Sequence, residues 1–97
     1  MIVAIDYDDT YTRDPIAWNY VCELFMERGH TVYCVTARNK RHMDEVEFTI
    51  GRLIGASNCI PTDGNPKRSF VYDIDIIPDV WIDDAPESIV DIKLLGE

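Results

Sequence analysis

Carboxylates stand at two distant places in the chain, in Asp6-Tyr7-Asp8-Asp9-Thr10 near the start and in Asp83-Asp84 near the end, each directly after a short apolar run. In extended chain, residues two apart face the same side at about 3.3 Å rise per residue, so Asp6 and Asp8 can present both carboxyl groups to one small volume. Asp83 and Asp84 join them if the two apolar runs are neighbouring strands. Four carboxylates packed together repel strongly unless a cation sits among them or some are protonated. A hard divalent ion meets that need, and magnesium, which prefers oxygen ligands, is commonly held by one or two carboxylates plus a substrate phosphate. Lys67, and Lys40 with Arg41, fall at expected helix starts, where a positive charge opposes the helix dipole. A negative partner is expected to compensate. Helix N-termini, the Thr36 hydroxyl and a lysine facing a metal together make a site for a phosphate group.

Alternating strands and helices would position these groups. Residues 2–5 read as a strand buried on both faces. Asp14 caps a first helix with Pro15 at its first position, and Ala17, Val21, Leu24 and Phe25 repeat at helical spacing up to Gly29. Residues 32–35 form the second strand. Met43, Val46, Ile50, Leu53 and Ile54 then give one helix that Gly55 stops. Residues 59–62 are a weaker third strand, followed by a helix capped by Asn65, begun by Pro66 and carrying Phe70, Val71 and Ile74 on its apolar side. Residues 80–82 are the fourth strand and 86–95 a closing helix. Trp18, Phe25, Phe48 and Trp81 read as core. Four βα units in succession imply an α/β fold, with a short parallel sheet of about four strands and helices on both faces. The site then lies at the carboxyl ends of the strands.

Length and charge narrow the function classes. The 97 residues suit one domain, residues 1–97, and the formal net charge of −9 disfavours acidic membranes and extended nucleic acid, which need a basic surface. There is no apolar run near the roughly 18 residues of a membrane span and no basic leader, which suits a cytoplasmic protein. Cys22, Cys34 and Cys59 form no CxxC pair and read as small buried hydrophobes.

Taken in order, these residues resemble the haloacid dehalogenase superfamily of phosphohydrolases. Its DxDxT motif after a strand looks like Asp6 to Thr10, its strand-closing Thr or Ser like Thr36, its helix-start lysine like Lys67, and its acidic pair like Asp83-Asp84. Four elements in order, each at a strand or helix end, are more specific than DxDxT alone. The resemblance implies a three-layer Rossmann-like fold and a two-step, magnesium-dependent phosphoryl transfer. Asp6 would attack phosphorus to form an aspartyl-phosphate, and Asp8 would act as general acid and then base. Magnesium would be held by Asp6, the Asp8 backbone carbonyl and Asp83 or Asp84. Thr36 and Lys67 would bind phosphate oxygens, helped by backbone N–H groups of the turn from Asp8 through Asp9 to Thr10, with Ala37 and Arg38 as further phosphate-binding candidates; the Arg38 to His42 cluster could equally be an exposed face. Only four residues separate Thr10 from the first helix, and residues 39–62 are used up by a helix and a strand, so no cap domain fits. That matches the small capless members common in bacteriophages. An open site suits a large substrate or cover from another subunit of a homo-oligomer. The expected substrate is a nucleotide, or the phosphorylated end of a macromolecule.

Three other readings compete. A phospho-receiver module also clusters acids at strand ends, but places its acidic pair before the phosphorylated Asp and its lysine last. A thiol phosphatase using Cys34 needs a CxxxxxR loop, and Lys40 stands where the Arg belongs. A noncatalytic phosphate- or metal-binding protein would keep the fold without turnover. Among single residues, Asp8 and Asp9 could cap a loop, Asp84 could serve a helix start, and Lys67 could be a solvated helix residue.

Overall fold

The computed structural model describes residues 1–90 of the chain. Four strands, β1 (Ile2–Ile5), β2 (Thr31–Thr36), β3 (Cys59–Pro61) and β4 (Val80–Ile82), form one sheet in the order β3-β2-β1-β4, every neighbouring pair parallel. The chain steps outward from β1 to β3, then returns to lay β4 on the other side of β1. That reversal opens a crevice between β1 and β4 at their carboxyl ends. Because Ile5 pairs with Ile82 in register, the next residues, Asp6 and Asp83, leave the sheet side by side.

Alternation along the strands divides the core. Val3, Ile5, Val32 and Cys34 pack with residues of helices α1 (Pro15–Glu27), α2 (Asp44–Phe48) and α3 (Ile50–Ile54), while Ala4 and Val35 pack with Val71 of α4 (Lys67–Asp73). The three cysteines are free and buried, as expected of small hydrophobes. Among the described residues, no helix is long and apolar enough to cross a membrane.

Asp14 caps α1 as expected, accepting from the Ala17 amide at 3.1 Å, with Pro15 next in the chain. The buried face of that helix differs from expectation. Cys22 is buried and Trp18 and Phe25 pack on the core, whereas Ala17 and Leu24 are exposed. Alpha1 carries apolar residues on two faces, so Ile16, Tyr20 and Leu24 form a second stripe that faces outward. The expected single helix over 43–54 is two. The Thr49 hydroxyl bonds back to the carbonyls of Glu45 and Val46, a competition with the helical ladder that bends or breaks a helix. Phe48, expected in the core, lies on the opposite side from Met43, Val46 and Ile50 and is exposed under the Arg52 guanidinium.

Asn65 does not cap α4. Its side chain donates to the Thr62 carbonyl at 2.9 Å, and Pro66 takes the cap position. Ile74 falls just past the end of α4 and is exposed, leaving Val71 as that helix's buried apolar residue with Phe70 half-buried. Of the expected closing helix, Pro86–Ser88 form a single 3-10 turn; its remainder from residue 91 lies outside the described residues.

Candidate active site at the carboxyl edge of the sheet

Lys67 is the pivot. As the first residue of α4 it reaches back to the crevice and is 2% exposed, so it is not a solvated helix residue. Its ammonium donates to Asp6 Oδ1 at 2.8 Å and to Asp83 Oδ2 at 2.6 Å. These are the negative partners that a cation at a helix start needs. Burial works against the Lys67 charge, but the hydrogen bonds it donates to the two carboxylates, with their charge, outweigh it and raise the Lys67 pKa.

Thr10 ties the other side together. Its hydroxyl lies 3.2 Å from Asp6 Oδ2 and 3.0 Å from Asp84 Oδ1, and it accepts from the Asp84 amide at 3.1 Å. One hydroxyl hydrogen serves one carboxylate at a time. Asp6, Asp83 and Asp84 each offer an oxygen within 4.8 Å of the others. Burial pushes the Asp6 carboxyl above its usual range, and neighbouring Asp83 adds to the rise, against the pull of Lys67. The hydrogen bond shared with Asp6 holds the exposed Asp84 low instead. With all three ionised, one lysine leaves the cluster two negative charges in excess, a deficit that a divalent cation matches.

Asp8 points elsewhere. Its carboxylate meets the Arg38 guanidinium in a two-pronged pair, Nε to Oδ2 at 2.9 Å and Nη2 to Oδ1 at 2.7 Å, so its side chain is not part of the three-carboxylate set. Arg38 in turn lies over the Tyr7 ring and donates to the His42 carbonyl at 3.0 Å. Tyr7, buried between the two aspartates of the motif, donates to Glu45 at 2.8 Å, and burial pushes its hydroxyl up to about 12. The Arg38 hydrogen bonds hold Asp8 below the usual carboxylate range. A depressed acid contributes stability above its unfolded pKa and loses it as pH falls through the folded one. Half of the Asp8 side chain is exposed, so screening limits the pair to under about 1 kcal/mol. Arg38→Ala is therefore expected to barely change the unfolding midpoint while moving the Asp8 titration upward to the ordinary range, followed by carboxyl-carbon NMR. An unmoved titration would show that the pair does not form in solution.

The remaining expected phosphate binders divide. A cavity of about 180 Å³ is lined by Asp6, Asp8, Asp9, Ala37, Lys67, Asp83 and Asp84. Thr36 is buried behind it, its hydroxyl accepting from the Arg38 amide at 3.3 Å. The Asp9 amide is taken by the Thr12 hydroxyl, and the Thr10 amide lies 3.4 Å from the Tyr7 carbonyl. Asp8 and Ala37 both line the cavity, and their amides donate no hydrogen bond among the described residues. Asp9 itself is left-handed at φ 63°, the sharp turn that brings the chain from β1 over the cavity. Ser88 was not expected here; its hydroxyl lies 3.4 Å from Asp83 Oδ2, and no spacing rule would have singled it out.

Cys34 is fully buried in the core, and burial pushes its thiol well above the ordinary range, which removes it as a nucleophile. Compared with known proteins, the chain matches no family model, no curated protein and no solved structure.

Proposed function

We propose that this chain is a magnesium-dependent phosphatase of the capless haloacid dehalogenase type, with a three-layer fold, acting in the cytoplasm on a phosphomonoester of a nucleotide or a macromolecular end. The observation that carries the reading is the cluster of Asp6, Asp83 and Asp84, two of them bridged by one buried ammonium, with Asp8 and Ala37, whose amides are unbonded, lining the same cavity. Asp6 is the nucleophile: its oxygen forms a bond to phosphorus as the ester P–O bond breaks, and water later cleaves the acyl phosphate. Lys67 and the amides of Asp8 and Ala37 face the phosphoryl oxygens and spread their charge. Asp8 is held ionised by Arg38, the state that takes a proton from the hydrolytic water. To protonate the leaving oxygen it must first leave Arg38.

Asp6, Asp83 and Asp84, with the Asp8 carbonyl, would hold the magnesium. When bound, the ion neutralises phosphoryl charge and orients the ester. Oxygen-only donors suit it rather than a softer metal. Release of phosphate from an aryl phosphate is expected to require magnesium and to stop with a chelator. The ion should also raise the melting temperature without substrate, by mass action on the folded state. Release that persists unchanged in chelator would sink the metal assignment.

A noncatalytic binder remains the second reading, favoured by the Arg38 pair that draws the Asp8 side chain aside. Magnesium-induced stabilisation without any phosphate release would select it.

A further inference from the structure

The 180 Å³ cavity holds a phosphate group and little more, since sites for whole small molecules run from about 300 to 1,000 Å³. A second cavity of about 390 Å³ falls within that range, at the carboxyl ends of β2 and β3. Asn39, Lys40, Arg41, Asp63, Asn65 and Phe70 line it. Ala37 borders the first cavity and Asn39 the second, so one loop walls both. The two lie about two strand spacings apart, roughly 10 Å, on the scale of one nucleotide.

The second cavity is built rather than incidental. Its walls are tied by the Thr62 amide to the Thr36 carbonyl at 2.8 Å, Asp63 to Arg38 at 3.1 Å and Gly64 to Ala37 at 2.9 Å. Asn39 uses its oxygen to accept from the Arg41 amide, which leaves its NH2 as a donor. Asn65 uses its NH2 on the Thr62 carbonyl, which leaves its oxygen as an acceptor. The half-buried Phe70 adds an aromatic wall, and Lys40 and Arg41 bring positive charge to the rim of a chain with a net charge of −9. An aromatic wall, one amide donor, one amide acceptor and cations fit a heterocyclic base attached to phosphate.

We propose that this cavity seats the nucleoside of a nucleotide whose phosphate enters among Asp6, Lys67 and Asp83. The proposal rests on the phosphatase reading and specifies its substrate as a nucleotide phosphomonoester, free or at an oligonucleotide end.

The test is binding to the isotope-labelled full chain without magnesium, so that turnover does not interfere. Probes are the four nucleoside monophosphates, ribose 5-phosphate, inorganic phosphate and an oligonucleotide with a terminal phosphate. A nucleotide is expected to shift the Asn39 and Asn65 side-chain amide signals and to bind about tenfold more tightly than ribose 5-phosphate. Phe70→Ala should erase that advantage while leaving inorganic phosphate unchanged. Asn39→Asp keeps the acceptor for the Arg41 amide, so it tests the outward donor even if the Phe70 variant fails to fold. Equal affinity for nucleotide and ribose 5-phosphate, or nucleotide shifts confined to the Asp6 cavity, overturns the proposal. Inorganic phosphate, which undergoes no turnover, is also added with magnesium present; if it then leaves the Asp6 cavity unperturbed, the phosphatase reading itself fails. Tighter binding by the free nucleotide or by the oligonucleotide identifies the source, and either one supports the pocket.

Discussion

Asp6→Asn is expected to lower magnesium-dependent phosphate release by on the order of 10³-fold or more, the scale on which enzymes lose a covalent nucleophile. The substitution keeps the shape of the side chain and an oxygen to accept from Lys67 at the position now 2.8 Å away. The fold should therefore survive, and circular dichroism and the urea midpoint check that it does. The loss belongs to kcat, because an amide oxygen is a poor nucleophile toward phosphorus while phosphate contacts remain. A variant that retains more than a tenth of the wild-type rate would place the nucleophile elsewhere and end the proposed mechanism. Asp6 also shapes the pH dependence of stability, in a direction opposite to Asp8. A carboxyl raised by burial favours the folded state below its unfolded pKa and withdraws that contribution as pH rises through the folded value.

Lys67→Met should instead be felt mainly in folding. Asp6 and Asp83, their side chains 8% and 2% exposed, would share a pocket without the ammonium that now bridges them. Removing one partner from buried pairs of this kind costs about 3 to 5 kcal/mol, a large part of the roughly 5 to 15 kcal/mol that holds a small domain folded. Urea unfolding at neutral pH is expected to show the loss. It should shrink at mildly acidic pH, where protonation relieves the repulsion, and in millimolar magnesium, which replaces the missing charge. An unfolding midpoint equal to wild type would mean that the buried bridge contributes nothing to stability.

The sequence made some of this legible and hid the rest for identifiable reasons. Short apolar runs closed by acids marked β1 and β4, because a strand covered on both faces leaves no room for polar residues until it ends. The meeting of Asp6, Asp83, Asp84 and Lys67 follows from those ends and from the parallel order. Side-chain direction was not legible. Asp8 lies two residues from Asp6 yet turns to Arg38, because β1 ends at Ile5 and the chain is already turning at Tyr7, so the extended geometry on which a same-side argument depends does not reach Asp8. Alpha1 offered two apolar stripes of equal period, and composition alone did not select the one that meets the sheet. Thr49 splits α2 from α3 through its own hydroxyl, a local contest that hydrophobic spacing does not register.

Directly after the inner strand β1, Asp6 would be among the last groups to come free as the molecule fails under stress. Its amide donates to the Ile82 carbonyl at 2.9 Å, where β1 runs between β2 and β4. Exchange of that hydrogen with solvent needs an opening close to global unfolding, whereas the exposed Asp8 turn can open locally at far smaller cost. If the proposed mechanism holds, partial denaturation would displace Asp8 while Asp6 stayed in place, and any phosphoryl group already on Asp6 would be left without the base that helps water remove it.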